Sequence, residues 1–168
     1  MFPIQQKCFA PIVEGKHIIA RARTGSGKTL AFLLPLFNIL SQQKRTASNP
    51  RALILVPTRE LATQIADVCQ KTAKNLVPLA IYGGTAYGDQ IRRIKQGLDI
   101  IVGTPGRVKD LLDKQIIPLG DMQFSILDEV DRMFDMGFKD EVMEILNIIR
   151  DCNFYISVHH IFLLFLVQ

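Results

Sequence analysis

Five short apolar runs are spaced along the chain, and each leads into a loop that carries glycine, proline, threonine or acidic residues. They span residues 17–20, 51–56, 79–82, 99–102 and 124–127. Continuous apolar runs of this length are typical of strands that are covered on both faces, as in a parallel sheet. Helical stretches lie between the runs. The alternation predicts an α/β fold with a mostly parallel sheet and helices on both faces.

The loop after the first run contains the segment A-R-T-G-S-G-K-T, from Ala22 to Thr29, and a helical stretch begins near Lys28. Gly25 and Gly27 allow backbone N–H groups to face inward, and the helix adds its positive N-terminal end. A strand, a glycine loop and a helix in this order form a nest that holds phosphate. A glycine turn that binds nothing is the alternative.

Two side chains of this segment carry specific chemistry. The Lys28 ammonium is placed to reach the β- and γ-phosphates, and the Thr29 hydroxyl is placed to ligate Mg²⁺. The usual pattern is G-x-x-x-x-G-K-[ST], and this chain meets it except at the first position, where Ala22 replaces glycine. Thr24 and Ser26 complete the predicted nucleotide-binding loop.

The last of the five apolar runs delivers the acidic sequence Asp128-Glu129-Val130-Asp131 at its carboxyl end. The Asp128 carboxylate is suited to hold Mg²⁺, and Glu129 is suited to accept a proton from an attacking water. Acids at a helix N-terminus without a catalytic role are the alternative. In an open α/β sheet the ligand lies at the carboxyl ends of the strands, so this sequence and the phosphate loop are expected to meet there.

Composition narrows the class of protein. The length of 168 residues and a hydrophobic content of 48% suit one domain, and the net charge of +4 permits an anionic partner without identifying one. Cys8, Cys69 and Cys152 are widely separated, which argues against a disulfide framework or a zinc site and favours free thiols. Neither a signal peptide nor an apolar stretch of about 18 residues is found, so a soluble intracellular protein is expected.

The motifs, taken in order, resemble those of the DEAD-box ATP-dependent RNA helicases. The segments are F-P-I-Q, A-R-T-G-S-G-K-T, P-T-R-E-L-A, the Gly83-Gly84 pair, T-P-G-R and D-E-V-D. The resemblance covers residues 1–150 and corresponds to the first of the family's two RecA-like domains. Valine in D-E-V-D, together with Y-G-G-T-A-Y-G and V-G-T-P-G-R-V-K-D, is similar to the nucleolar Gu branch, so a nuclear or nucleolar location is expected.

The resemblance implies a role for each matching residue. Gln5 is expected to read adenine, for which a glutamine amide offers both a donor and an acceptor. The family's contacts with the backbone of RNA, which are independent of base sequence, fall on residues in three loops. These are Pro57, Thr58, Arg59, Gly84, Thr104, Gly106 and Arg107. Taken singly, each has an ordinary alternative, such as a helix start or a surface ion pair between Arg59 and Glu60.

The chain also departs from the family pattern. The S-A-T motif is absent, the aromatic residue that stacks on adenine upstream of F-P-I-Q is missing, and the second RecA-like domain is expected to be absent. Residues 151–168 do not match the motifs of the family. The apolar segment from Ile161 to Val167 is too short for a membrane span. A last strand, an aggregation-prone end and the product of an altered reading of the gene are the three open interpretations.

The leading hypothesis is the N-terminal ATP-binding half of an RNA helicase, a monomer that uses ATP and Mg²⁺ and binds single-stranded or structured RNA. Hydrolysis by this chain alone is expected to be nearly absent, because the missing domain supplies the arginine fingers. The alternative is a catalytically silent truncated module that binds RNA and nucleotide. A P-loop kinase or another metabolic ATPase is a third hypothesis, in which P-T-R-E-L-A and T-P-G-R have no role.

Overall fold

A computed structural model describes residues 1–23, 25–43, 48–154 and 161–167, with side chains described as far as Cys152. Thr24 of the predicted phosphate loop and residues 155–160 lie outside the described residues.

The fold is built on one six-stranded sheet in which every neighbouring pair is parallel. The strands are β1 (Ile18–Ala22), β2 (Ala52–Leu55), β3 (Pro78–Ile81), β4 (Ile100–Gly103), β5 (Phe124–Leu127) and β6 (Ile161–Val167). Their order across the sheet is β1-β6-β5-β2-β4-β3. Strands β2, β4 and β5 are buried at every position, as their continuous apolar sequences predict.

Seven helices in the described part of the chain cover the two faces of the sheet. They are α1 (Pro3–Val13), α2 (Lys28–Gln42), α3 (Arg59–Thr72), α4 (Tyr87–Lys95), α5 (Pro105–Asp113), α6 (Val130–Asp135) and α7 (Lys139–Phe154). Side chains of α1, α2 and α3 form one buried cluster with alternate strand residues such as Ile54 and Val102. Side chains of α4 to α7 form a second cluster with the other set, such as Leu53 and Ile101. The predicted fold class is therefore confirmed.

The apolar segment near the end of the chain belongs to the sheet, so the predicted boundary at residue 150 is wrong. Helix α7 continues to Phe154, and Ile161–Val167 lies between β1 and β5, with Leu163 opposite both Ile18 and Ile126. A central parallel strand needs a continuous apolar sequence, which is the composition of this segment. The interpretation as a last strand is confirmed.

Because all strands run in the same direction, the loops after their carboxyl ends meet at one edge of the sheet. The strand order divides these loops into two groups. The phosphate loop follows β1 and the D-E-V-D sequence follows β5, with only β6 between the two strands. The P-T-R-E, Gly83-Gly84 and T-P-G-R loops follow β2, β3 and β4, which are the three strands of the other half.

The opposite edge of the sheet contains a buried ion pair. Arg51 Nη2 lies 2.7 Å from Asp99 Oδ1, and the two side chains are 7% and 1% exposed. Arg51 Nη1 donates to the carbonyl oxygen of Leu40 at 3.0 Å, and Asp99 Oδ2 accepts from the backbone N–H of Val77 at 2.8 Å. This pair therefore ties the end of α2 to the starts of β2, β3 and β4.

The three cysteines are free thiols, as predicted. Cys8 and Cys69 are buried, and burial raises the pKa of Cys69 to about 12, so its reactive thiolate form is scarce at neutral pH. Among the helices of the described residues, none has the length and apolar character needed to cross a bilayer.

Replacing Asp99 with Asn tests the buried ion pair. The substitution leaves the Arg51 charge buried without a counter-charge, so we expect the free energy of unfolding to fall by about 3 kcal/mol. Urea denaturation monitored by circular dichroism measures this change.

Asp89→Asn is the matched control, since Asp89 pairs with Arg92 in an exposed position. The control should change the free energy of unfolding by less than about 0.5 kcal/mol. Equal effects of the two substitutions would contradict the assigned role.

Candidate functional site

The phosphate loop adopts the backbone conformation that its glycines predict. Gly25 has φ +76° and Gly27 has φ +82°, a left-handed region that favours glycine, and Gly27 is the N-cap of α2. Lys28 is 8% exposed, and its Nζ donates to the carbonyl oxygen of Ala22 at 2.7 Å. The ammonium therefore folds back over the loop, where an anion bound in the loop would meet it.

Gln5 connects α1 to this loop. The side chain is 4% exposed, its Oε1 accepts from the backbone N–H of Phe2 at 2.9 Å, and its Nε2 donates to the carbonyl oxygen of Gly27 at 3.2 Å. A glutamine amide has two N–H donors and two acceptor lone pairs, so each polar atom keeps capacity for one more bond. Gln5 thus links the start of α1 to the phosphate loop and retains one donor and one acceptor for a nucleotide base.

Gly27 is also required for space. A Cβ at this position would lie 2.5 Å from Gln5 Nε2 and 3.0 Å from Phe2 Cδ2, whereas a Cβ at Gly25 meets nothing within 4 Å. The close approach of Gln5 is therefore possible only because residue 27 has no side chain.

Asp128 is the buried carboxylate of the site. It is 3% exposed, its backbone N–H donates to Leu55 at 3.0 Å, and its Oδ1 accepts from the backbone N–H of Glu129 at 3.1 Å. Burial is the main cause that raises the pKa of Asp128 to about 6, the charge of Glu129 acts in the same direction, and the charge of Lys28 opposes them. Lys28 is therefore close enough for its charge to act on Asp128, which agrees with the separation of β1 and β5 by β6 alone.

Glu129 has an unusual backbone conformation. Its φ of +53° and ψ of +46° place it in the left-handed region, and it is the N-cap of α6. Its Oε2 lies 3.2 Å from Arg132 Nη1, an ion pair that the motif analysis missed. Non-glycine residues in this conformation are uncommon and concentrate at functional sites. Glu129 thus combines a left-handed backbone with a carboxylate that is ion-paired with Arg132, directly after the buried Asp128.

The donor set suits a magnesium ion that is shared with a ligand. Within the described residues there is no group of three or more His, Cys, Asp or Glu side chains placed to hold a metal. Thr29 and Asp128 supply two oxygen atoms, and Mg²⁺ commonly takes its remaining ligands from phosphate and water. Ser26 Oγ is buried in the same loop without a hydrogen-bond partner among the described residues, which leaves another group for phosphate.

The remaining predicted residues surround the three loops of the other half of the sheet. Thr58 caps α3, since its Oγ1 accepts from the backbone N–H of Leu61 at 3.3 Å. Pro57 is buried before it, and Arg59 is exposed and pairs with Glu60 at 2.7 Å, so the surface ion pair is present. These contacts orient the start of α3 and leave Arg59 at the surface.

Two glycines and a threonine continue this surface. Gly84 has φ +81°, and a Cβ at Gly84 or Gly106 would meet nothing within 4 Å, so the backbone is open to a partner at both positions. Thr104 is the N-cap of α5, and Arg107 lies in the first turn of that helix.

Gln90 links two of these loops and was missed by the sequence reasoning. It is buried, and its Nε2 donates to Tyr82 O at 3.0 Å and to Thr85 Oγ1 at 2.6 Å. Its Oε1 accepts from Arg107 Nη1 at 3.0 Å. A polar residue on an amphipathic helix is usually exposed, so no signal in the sequence marked it as buried.

Comparisons with known proteins point to one family. The family model described as DEAD/DEAH box helicase matches residues 2–165, a range that ends within β6. The chain is 45% identical over 150 residues to mouse ATP-dependent RNA helicase DDX50, covering 88% of this chain and 20% of that protein. It is 48% identical over 149 residues to rat nucleolar RNA helicase 2, covering 87% of this chain and 19% of that protein. The chain thus spans about one fifth of these relatives.

Solved structures agree with the fold. The yeast DEAD-box splicing factor Prp28 superposes with a TM-score of 0.91 at 32% identity, covering 100% of this chain and 40% of that one. The DEAD-box helicase Mss116 bound to ssRNA and UDP-BeF superposes with a TM-score of 0.88 at 31% identity, covering 98% of this chain and 35% of that one. The family predicted from the motifs and its nucleolar Gu-type branch are confirmed.

Replacing Asp128 with Asn tests the free-energy cost of burying a charged carboxylate at this site. The native state holds the Asp128 proton more tightly than the unfolded chain, where the pKa is about 3.9, so ionisation at neutral pH costs stability. In ligand-free, metal-free buffer we expect the substitution to raise the free energy of unfolding by on the order of 2 kcal/mol at pH 8. The gain should shrink as the pH falls toward 4.

Thermal and urea denaturation across this pH range measure the effect. Asp135→Asn, at an exposed position on α6, is the control that should show no such pH dependence. If the free energy of unfolding of D128N at pH 8 were equal to or lower than that of the parent, Asp128 would not be the buried carboxylate with a raised pKa that we assign.

The two glycines of the loop provide a matched comparison. Gly27→Ala must both strain the backbone and displace Gln5, whereas Gly25→Ala only strains the backbone. We expect G25A to lower the free energy of unfolding by about 1 kcal/mol and G27A by about 2 kcal/mol or more. Denaturation of the two variants side by side measures this difference, and G27A no less stable than G25A would show that Gln5 does not require the missing side chain.

Proposed function

This chain belongs to the DEAD/DEAH box helicase family, and from that premise we propose that it is the ATP-binding part of an ATP-dependent RNA helicase. The observation that carries the proposal is the position of Lys28 opposite the buried Asp128, on loops that flank β6 at the carboxyl edge of the sheet. A cation from the phosphate loop facing a carboxylate is the arrangement that a nucleotide triphosphate with Mg²⁺ requires.

In the nucleotide-bound protein, Lys28 leaves the Ala22 carbonyl oxygen and binds the β- and γ-phosphates. The loop from Ala22 to Thr29, including Thr24, Gly25, Ser26 and Gly27, presents its N–H groups to the phosphates. Thr29 and Asp128 would hold a Mg²⁺ that arrives with the nucleotide and would neutralise phosphate charge. With a divalent cation beside it, the buried Asp128 carboxylate would be stabilised in its ionised form.

Two further groups complete the nucleotide site. Glu129 accepts a proton from the attacking water, and its place directly after Asp128, at the N-cap of α6, supports this role. Gln5 binds the adenine edge with the donor and acceptor capacity that its contacts to Phe2 and Gly27 leave unused. A base bound there couples α1 to the phosphate loop through a single side chain.

RNA lies across the loops of β2, β3 and β4. The groups that meet it are open backbone at glycines, helix N-termini, threonine hydroxyls and arginines, all of which bind phosphate and sugar and carry no information about base sequence. They are Pro57, Thr58, Arg59, Gly84, Thr104, Gly106 and Arg107. Binding is therefore indifferent to sequence, and the related Mss116 has been solved with ssRNA.

Turnover and location complete the proposal. Hydrolysis and strand separation require a second RecA-like domain, because an arginine supplied to the transferred phosphoryl group contributes on the order of 10³ to 10⁵ in rate. The chain alone is a monomer that binds ATP and RNA and hydrolyses ATP very slowly. The nucleolar relatives support a nuclear or nucleolar location.

Lys28→Ala and Glu129→Gln separate binding from chemistry. Removing the Lys28 ammonium takes away the positive charge that binds the phosphates. We therefore expect calorimetric titration with ATP and ADP in Mg²⁺ to show a loss of affinity of at least about tenfold. Glu129→Gln should retain the affinity of the parent, because the loop and the metal ligands remain.

Lys16→Ala is the matched control, since Lys16 is exposed and pairs with Glu14 far from the loop. Unchanged ATP affinity in K28A would refute the nucleotide site. Rapid hydrolysis by the unmodified chain would refute the requirement for a second domain.

A further inference from the structure

The guanidinium of Arg107 lies over the aromatic ring of Tyr87. Arg107 Cζ is 5.0 Å from the ring centroid, within the distance of about 6 Å at which a cation is attracted to the face of an aromatic ring. Tyr87 is the first residue of α4 and follows the loop that contains Gly84. The contact therefore joins two loops that are proposed to bind RNA.

A second contact from the same turn of α4 acts on the same group. Gln90 lies three residues after Tyr87, and its Oε1 accepts the hydrogen bond from Arg107 Nη1 at 3.0 Å. The hydrogen bond holds one N–H of the guanidinium, and the ring contacts the group from a second side. A guanidinium has five N–H donors, and this bond uses one of them. The group is oriented while donors remain for a bidentate contact with phosphate.

The neighbouring charges favour an external anion for Arg107. Residues 107, 110 and 114 recur on one face of α5, so the Asp110 carboxylate is the nearest anion of the helix. It is paired with Lys114 at 2.7 Å. The contact with Lys114 is the main cause that lowers the pKa of Asp110, and the Tyr87 hydroxyl and the charge of Arg107 lower it further. Lys114 Nζ also lies 4.7 Å from the Tyr87 centroid. Lys114 thus occupies Asp110 and leaves Arg107 without an ion-pair partner of its own helix.

We propose that Tyr87 is a positioning residue that holds the Arg107 guanidinium in the orientation in which it binds a phosphate of single-stranded RNA. This inference rests on the proposed function and adds a residue that lies outside the RNA-contacting set given above. The proposed role of Tyr87 is preorganisation, because an arginine that is already oriented loses less conformational entropy when it binds.

Two substitutions at Tyr87 test the ring. Tyr87→Leu removes the aromatic face, and Tyr87→Phe keeps it. Fluorescence anisotropy with a labelled single-stranded oligonucleotide measures affinity in the presence of Mg²⁺ and a non-hydrolysable ATP analogue. We expect Y87L to weaken binding about threefold to tenfold, and Y87F to bind within about twofold of the parent.

A double-mutant cycle with Arg107→Ala distinguishes positioning from a general structural effect. If Tyr87 acts through Arg107, Y87L has no further effect on affinity in the R107A background, and it keeps its full effect in the Arg59→Ala background, in which a proposed RNA contact of another loop is removed. A loss of the same size in both backgrounds would overturn the inference.

Arg107→Lys gives a test that leaves Tyr87 in place and remains informative if Y87L is poorly folded. Lysine keeps the charge but lacks the planar fork that the ring and Gln90 engage, so its affinity should approach that of R107A. Parent-like affinity of R107K would overturn the positioning role.

The outcomes also separate the two proposals. If the parent chain binds RNA and Y87L binds equally well, only the role of Tyr87 is overturned. If the parent chain does not bind single-stranded RNA, the proposed function is overturned and the role of Tyr87 with it.

Discussion

The parallel pairing of all six strands is the constraint on which the site depends. Because the strands share one direction, every loop that carries a motif leaves the sheet at the same edge, and the strand order then decides which loops become neighbours. Strand β6 separates β1 from β5 by one position, so the phosphate loop after β1 and the acidic loop after β5 leave the sheet close together. The loops after β2, β4 and β3 leave the other half of the same edge. One rule of sheet topology therefore produces two adjacent groups of loops.

The candidate site contains features that raise the free energy of the folded protein when no ligand is bound. A buried carboxylate at Asp128 and a left-handed backbone at Glu129 both raise the free energy of the folded protein. The rest of the molecule offsets this cost with two apolar layers and with the Arg51–Asp99 pair at the far edge. The Arg51–Asp99 pair and the residues of the candidate site thus lie at opposite ends of the strands. A bound nucleotide with its metal would relieve the strain at one end without altering the other.

Much of the fold could be predicted because its strands are covered on both faces and therefore have continuous apolar sequences. The predicted strand at Phe124–Leu127 agrees with the structure at both ends, and the other predicted strands shift by one or two residues. The sequence left Ile161–Val167 open between a last strand and an aggregation-prone end, because an apolar run is compatible with both until its neighbours are known. The Arg51–Asp99 pair and the buried Gln90 could not be predicted, because polar side chains separated by tens of residues leave no periodic signal.

The sequence by itself determined the chemistry of this protein: the phosphate loop, the acidic sequence after β5 and the family to which they belong. Those properties are local, since each depends on a few consecutive residues and on the strand or helix that they begin or end. Only the tertiary structure decided which groups meet. It placed Gln5 against Gly27, Lys28 opposite Asp128 and Tyr87 beneath Arg107. These contacts depend on the order of strands across the sheet, which is set by the packing of whole elements and is not encoded at any single position.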